Sequence, residues 1–348
     1  MIRLCCVHLS VCCVLLCGRT AGADTSDFEV SGATISAYPI ALAVLPTKTA
    51  ANQLEALRTS LGRKLDITAM FKVLDPHAFL AKADEGDDVK SINFQAWRDV
   101  AARGLVKLRI DVSTVTYSLF DAGLGKPIDR ATFAFTSGQA EALSGPIADR
   151  IIEKLSGEPG PFNSRLVFVR KEGRDKSLWV AEPDGTRARR ITKRGTLNIL
   201  PTWDHQGRAV YFTSYARGTP DLYRVLPTGG RWTAVSRREG LNTGAAVSPS
   251  SVTVGGKTYA RLIALSLSKD GNSEIYLLDE GGRIVKRLTN HWGIDTSPSW
   301  SPDSRRIAYV SNRGGSPQIY TVSVASGARQ RLTFQGNYNQ TPAWSPKG

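Results

Sequence analysis

The chain has 348 residues and a formal net charge of +14, with 41% hydrophobic and 22% charged residues, enough to build proper cores for two domains. All five cysteines, Cys5, Cys6, Cys12, Cys13 and Cys17, fall in the first 17 residues. That distribution excludes disulfides and thiolate-held zinc from everything that follows.

The first segment reads as a secretory signal over residues 1–23. Arg3 gives a positive start, residues 4–17 are mostly apolar but too short to span a bilayer, and Ala21-Gly22-Ala23 is a small-x-small cleavage site, with Ala21 and Ala23 as its small residues. Lipoprotein processing at Cys17 is the alternative, although Leu16 before it is bulky. No later apolar run reaches membrane-spanning length, so a mature chain without direct membrane insertion is expected. Charge then divides the remainder. Residues 24–163 hold 15 basic and 18 acidic side chains, whereas residues 164–348 hold 28 and 13. The asymmetry suggests a polar partner surface. Nucleic acid is not expected for an exported chain, and Arg170, Arg217, Arg261 and Arg313 are scattered rather than set in a stripe.

Residues 24–156 alternate strand and helix signals. Residues 40–45 (IALAVL) read as a buried strand ended by Pro46, and Leu54, Leu57, Leu61 and Leu65 form a helical stripe over residues 53–65. A short strand follows at 71–74, a helical turn at 78–83, and an acidic loop at 84–88. A helix capped by Asn93 is predicted to run to Arg103 and end at Gly104. Residues 106–120 read as one long strand, Gly123 to Gly125 as a turn, and residues 131–136 as the antiparallel mate. A last helix is predicted over 139–155, despite Pro146. The sum is a two-layer α/β domain, followed by a Gly/Pro linker at 157–163.

Residues 164–348 repeat. An aliphatic-aromatic pair recurs at Leu178-Trp179, Leu222-Tyr223, Ile275-Tyr276 and Ile319-Tyr320. A second anchor, within "P-x-W-S-P", recurs at Trp203, Val247, Trp300 and Trp344. Both sets step by 44, 53 and 44, sharing one nine-residue insertion near Val254 to Lys257. A third anchor, "R-[IL]-T", stands at residues 190–192, 287–289 and 331–333, and has decayed near Ala234-Val235-Ser236. Four short strand signals per unit of this length give a β-propeller blade, which buries its two faces only by stacking on other blades. The fold class is therefore α+β: a two-layer α/β domain and then a propeller. Antiparallel order puts the loops before the P-x-W strands and the "NRGGSPQ"-type loops on one face. Asn198, Asn242, Thr243, Asp295, Thr296, Asn337, Asn339 and Gln340 should then rim the mouth of the central channel; any one of them alone reads as an ordinary turn former, and the ring as a whole reads as a binding rim.

The signal, "AYPIALAVLP", the helix "DRIIEKLSG", the repeat "PSWSPDSRRIAYVSNRGGSPQIYTVSVASGARQRLT" and "GNYNQTPAWSP" together resemble the TolB family of the Tol-Pal envelope system, over essentially the whole mature chain. The resemblance implies a periplasmic, non-catalytic, monomeric adaptor without a cofactor and with a six-bladed propeller. It implies that the mouth binds the peptidoglycan-associated lipoprotein Pal, with Thr296 in "DTSPSW" and Gly244 in "NTGAAVSP" at matching positions. It also implies that the mature N-terminal segment, here Asp24, Asp27, Phe28 and Val30, contacts TolA. Other outer-membrane proteins are further possible partners, and the role implied is in envelope integrity and cell division. Leu241 stands near a place where the family can carry His. Four units are visible, with Trp344 opening a fifth, and six would need about 80 to 90 more residues. The simplest account is a C-terminally incomplete sequence, with an intrinsically four-bladed closure as the rival.

Catalytic chemistry finds little support. No G-x-S-x-G occurs, and nothing after the propeller could form a hydrolase domain. His77, His205 and His291 show no metal spacing. Gly123-Leu124-Gly125-Lys126 precedes Pro127 and a strand, so it is a hairpin turn rather than a phosphate loop. Asp204, Asp303 and the Pro183-Asp184-Gly185 turn offer one carboxylate each, far short of a calcium shell. Trp292, outside the repeat anchors and beside His291, is a candidate contact residue. A propeller that binds or cleaves wall glycans is the alternative function.

Overall fold

The computed structural model describes residues 37–47, 50–82, 84–136, 139–193, 195–346 and 348. The signal, its cleavage site at Ala21 and Ala23, and the proposed contact residues Asp24, Asp27, Phe28 and Val30 lie outside them. Among the described residues no helix is long and apolar enough to cross a membrane.

The α/β domain is built on β1 (Tyr38–Val44), α1 (Ala51–Ile67), β2 (Phe71–Val73), α2 (Phe94–Asp99), β3 (Gly104–Ile110), β4 (Thr114–Asp121), β5 (Lys126–Ala134) and α3 (Ser144–Ser156). The sheet order is β2-β1-β3-β4-β5, with β1 parallel to β2 and β3 and the remaining pairs antiparallel. The leucine stripe of α1 is fully buried and packs with Ile147, Ile151 and Ile152 of α3 on one face of the sheet. The other face is covered by Phe79, Ala81, Ile92 and Trp97 from the segment between β2 and β3.

Four local expectations shift, each for a physical reason. The long strand is two strands joined at Asp111 to Ser113, where Asp111 N–H donates to Thr114 O (2.8 Å); the exposed Val112 imitates strand alternation inside a turn. The helix after Asn93 stops at Asp99, because Ala101 adopts a left-handed φ of 60°. Asn93 gives it no side-chain cap; its N–H donates instead to Glu85. The last helix starts as a 3-10 turn at Ala140–Leu143. Pro146 sits in the first turn of α3, where its missing N–H leaves no bond unmade. The acidic loop is not simply solvated. Glu85 is buried and accepts from Trp97 Nε1 (3.0 Å) and from the buried Lys107 Nζ (2.8 Å).

Four blade sheets follow. The second contains strands Asn198–Trp203, Val210–Ser214, Asp221–Val225 and Thr233–Ser236 from inside outward. The third runs Asn242–Val247, Ile263–Leu267, Glu274–Leu278 and Ile284–Arg287, and the fourth Asp295–Trp300, Arg306–Ser311, Gln318–Ser323 and Arg329–Arg331. The nine-residue insertion is a separate hairpin, Val252–Val254 with Lys257–Tyr259. The first sheet has three strands, Leu166–Glu172, Asp175–Ala181 and Arg189–Arg190. It lacks the inner strand that the repeat predicts, because the P-x-W strand precedes each later unit whereas a linker precedes this one.

Seams between blades hold the anchors. Leu178, Val180 and Ile191 meet Val210, Phe212 and Tyr223; Tyr211 and Leu222 meet Ile263, Leu265 and Tyr276; Leu262, Ile275 and Leu277 meet Trp300, Tyr309 and Tyr320. Trp300 Nε1 donates across its seam to Ala246 O (3.0 Å), and Trp344 Nε1 makes the equivalent bond to Ser299 O (3.1 Å).

The first blade also docks on the α/β domain. Lys64 of α1, itself buried, donates to Glu182 (3.0 Å) and to Asp184 (2.5 Å) of the Pro183-Asp184-Gly185 turn. Asp184 also accepts from Thr186 N–H and Oγ1, as a turn former does. Burial would raise the Asp184 carboxyl, but the bonds from Lys64 and Thr186 outweigh it and hold the group below its ordinary value.

Two outcomes follow. A carboxyl depressed in the folded state stabilises above its unfolded value, and that contribution disappears as pH falls through the folded value. Asp184→Asn should therefore flatten the acid limb of thermal unfolding, while wild type and variant converge at the lowest pH. Lys107→Met should cost about 3 kcal/mol in urea unfolding, because it strands a buried carboxylate.

Candidate functional site: the mouth of the blade ring

The first residue of each inner strand stands at one repeat position: Asn198, Asn242, Asp295 and, on the unpaired fifth segment, Asn339. The loops before these residues share a face with the hairpins joining the second and third strands of the blades. Asn242, Asp295 and Asn339 donate their N–H to Pro220, Ser273 and Pro317 O at 2.8–3.0 Å. Asn272 Nδ2 ties the same two loop sets by donating to His291 O and Gly293 O.

Of the predicted rim residues, Asn198, Asn242 and Asp295 are fully buried. Their side chains are turned inward, and Asn198 Oδ1 and Asp295 Oδ1 find no hydrogen-bond partner there. Asn198 Nδ2 donates to Lys176 O and Thr196 Oγ1. Asn242 accepts from Ser236 Oγ (2.5 Å) and Arg238 N–H and donates to Arg238 O. Asp295 accepts from Arg313 Nη2 at 2.7 Å; burial still drives its carboxyl above the ordinary range. They position the rim rather than present themselves on it. Asn339 is half-buried, and its Nδ2 donates to Gln318 Oε1 (3.0 Å). Gln340 and Trp292 are exposed, and Thr296 and Gly244 are half-buried.

The "R-[IL]-T" motif supplies the second half of this frame. The hydroxyls of Thr192, Thr289 and Thr333 each accept, at 2.9 Å, the N–H of Leu178, Ile275 and Ile319 in the third strand. Thr289 and Thr333 then donate to Glu274 and Gln318 (2.6 Å each). Ser236 stands at this position where the motif has decayed, and its hydroxyl donates to Asn242 Oδ1.

What the frame displays is apolar. The residue just before each Asn or Asp of this set is Leu197, Leu241, Ile294 or Tyr338, and the last three are 39%, 50% and 69% exposed. Trp292, at 72%, stands next to this row, and His291 Nδ1 accepts from Gly293 N–H (3.1 Å) across the turn that carries it. Sequence reasoning found Trp292 but not Ile294 or Tyr338. The available signal was an apolar residue inside a polar turn at a fixed repeat position.

Each inner strand also carries a bulge. Leu200, Gly244, Ser297 and Thr341, again equivalent positions, have φ of 52–66°, and the pairing register slips beside the first three. The slip leaves backbone polar groups out of the ladder near the mouth. Among the described residues no group of three or more His, Cys, Asp and Glu could hold a metal.

The bulge is testable by stability. Gly244→Ser should cost about 1 kcal/mol, as the price of a left-handed side chain, while Leu200→Gly should be neutral or stabilising in chemical unfolding. Asn242→Ala should be more damaging than either, because it orphans the buried Ser236 and the half-buried Arg238.

Comparison with known proteins now adds to the geometry. The model of the TolB amino-terminal domain matches residues 26–128, and that of the TolB beta propeller domain matches residues 152–348. The Tol-Pal system protein TolB of Desulfosudis oleivorans is 33% identical over 295 residues, covering 82% of this chain and 65% of its own length. That of Myxococcus xanthus is 38% identical over 213 residues, covering 60% and 49%. The chain thus spans about half to two thirds of the curated relatives it matches. The crystal structure of TolB from Acinetobacter baumannii shares the fold, with a TM-score of 0.76 at 23% identity over 90% of this chain and 75% of that one.

Proposed function

The chain belongs to the TolB family, and from that premise we propose that it is a non-catalytic, periplasmic adaptor of the Tol-Pal system. Its mouth binds Pal, and its mature N-terminal segment binds TolA. The observation that supports the first part most directly is the apolar row at Leu241, Ile294 and Tyr338 with Trp292 beside it. Adjacent exposed apolar side chains, rimmed by polar groups, are the surface signature of a protein-docking site. A catalytic site needs convergent titratable groups. Here Asp295, Arg313 and Glu274, charged groups of the frame, are engaged with one another or with its hydroxyls and backbone.

The frame gives the row its use. The buried Asn, Asp and Thr groups fix the turns, so little conformational freedom is lost when a partner covers them. Gly244 at its bulge and Thr296 beside the next, both half-buried, leave room for a partner to approach the backbone. Pal and TolA are bound at separate places, so the chain can hold an outer-membrane lipoprotein while engaging the inner-membrane machinery. That linkage accounts for a role in outer-membrane integrity and cell division.

Trp292→Ala and Ile294→Ala should each weaken capture of purified Pal by about tenfold or more, with thermal unfolding unchanged, since both side chains are exposed. Removal of residues 24–31 should abolish TolA binding and spare Pal binding. Wild-type Pal affinity in the double Trp292/Ile294 variant, measured by calorimetry, would refute the mouth as the docking face.

A further inference from the structure

In the third blade a carboxylate ties an arginine to a tyrosine. Arg287 lies opposite Tyr276 in the strand pairing, and Asp270, in the hairpin between the second and third strands, reaches both. Asp270 accepts from the Tyr276 hydroxyl, and its Oδ2 lies 3.6 Å from Arg287 Nη1. Lys269 pairs with the same carboxylate at 2.6 Å.

The fourth blade repeats this arrangement 44 residues on, without the acid. Arg331 lies opposite Tyr320 in the same register. Gly314 stands where Asp270 does, and Gln318 replaces Glu274, the second acid on Arg287. Arg313 replaces Lys269 and turns instead to Asp295 (2.7 Å). Arg331 is left with a bond from Nε to Thr333 O (2.6 Å) and the ring of Phe334 beside it. The Tyr320 hydroxyl makes no hydrogen bond among the described residues. Residues 304–348 contain five Arg, one Lys and no Asp or Glu, so the last three strands of this blade hold no acid to answer Arg331.

The place that Asp270 fills is nonetheless kept. A Cβ on Gly314 would lie 3.5 Å from Tyr320 Oη and 3.6 Å from Arg331 Nη1, so hydroxyl and guanidinium converge on one point at ordinary contact distance. Gly314 lacks the left-handed φ of Gly315 beside it, so the backbone does not require glycine there. The point is open to solvent: Gly314 is exposed, and the Asp270 side chain in the equivalent place is 36% exposed. It also adjoins the apolar row, because Asn312, two residues before Gly314, accepts the Ile294 N–H (2.7 Å).

We propose that Arg331 and Tyr320 bind a carboxylate from outside the chain, an Asp or Glu side chain of the protein that docks at the mouth. The chain's own Asp270 completes the pair in the third blade; the partner completes it in the fourth. The occupant rests on the docking function proposed above, whereas the site rests on the repeat. One carboxylate oxygen accepts from the Tyr320 hydroxyl and faces the guanidinium, as Asp270 Oδ2 does. A phosphate dianion would leave one charge unanswered, since Arg313 is neutralised by Asp295, and a neutral amide would leave the guanidinium unpaired.

The test uses the full chain, purified Pal, and a hexaglutamate peptide with hexaglutamine as its neutral control. Gly314→Asp supplies the carboxylate internally, and Gly314→Asn is its uncharged isostere. Gly314→Asp should melt above Gly314→Asn, and the gain should vanish in an Arg331→Gln background. In calorimetry the wild type should bind hexaglutamate at least about fivefold tighter than hexaglutamine. Gly314→Asp and Arg331→Gln should each weaken Pal and hexaglutamate about threefold to tenfold, and Tyr320→Phe about twofold. Arg329→Gln, at an exposed arginine opposite Val322 in the same strand, should change little. Pal binding that needs Trp292 and Ile294 but is untouched by Gly314→Asp and Arg331→Gln would leave the docking function standing and overturn the carboxylate site. Should the wild type not bind Pal, the docking function falls, and hexaglutamate binding lost with Arg331→Gln but kept with Arg329→Gln still supports the site. Equal hexaglutamate binding by wild type, Gly314→Asp and Arg331→Gln overturns it.

Discussion

A four-stranded blade is thin, and both of its faces carry aliphatic and aromatic side chains. Neither face is stable against water, so every blade depends on the sheet beside it. The seams between blades satisfy that requirement with one recurring device: an aromatic from the third strand and a row of aliphatic or aromatic side chains from the second, pressed on the preceding sheet. Near the axis the device gains direction. Trp300 and Trp344 insert beside the previous inner strand and donate their indole N–H to its carbonyls, which sets the rotation of one blade on the next as well as burying area. Val247, at the same position, packs without a donor, so that seam relies on packing alone at this point.

A second layer of order sits between the seams and the surface. Buried amides, a carboxylate and hydroxyls link the outer strand, the third strand and the next inner strand into closed loops of hydrogen bonds at one end of each blade. The result is a division of labour along a few residues of chain. In "GIDTSPSW", Ile294 is displayed, Asp295 is buried and paired, Ser297 takes the left-handed bend and Trp300 fills the seam. Side chains one to three positions apart thus serve the surface, the frame, the backbone geometry and the core in turn.

This explains what the sequence reveals and what it hides. The repeat anchors are legible because the seams demand a fixed residue class at a fixed period, so the propeller, its blade units and the leucine stripe of α1 can be read directly. The rim is harder. Asn and Asp at the start of a strand look the same whether they cap a turn internally or face a partner, and only the positions of their hydrogen-bond partners, 2 to 22 residues away, distinguish the two. That is why Asn198, Asn242 and Asp295 read as contact residues and are in fact framework. The turn at Asp111 to Ser113 is hidden for a related reason: Val112 keeps up the alternation of a strand where the backbone reverses. Lys64 and Asp184 are invisible as a pair, since 120 residues and a domain boundary separate them.

The dock at Asp184 has a consequence for how such a ring can change over evolutionary time. The equivalent turn of the second blade, at Thr228 to Gly230, carries no acid, and that of the fourth, at Ser326 and Gly327, carries none either. Middle units can be duplicated, lost or exchanged by recombination, because each meets only copies of itself. The opening unit is traded less freely: a replacement taken from the second or fourth blade would bury Lys64 against a turn with no counter-ion, whereas the third blade's turn, with Asp279 and Glu280, would still offer one. The choice of which copy can open the ring is thus restricted by a single buried ammonium.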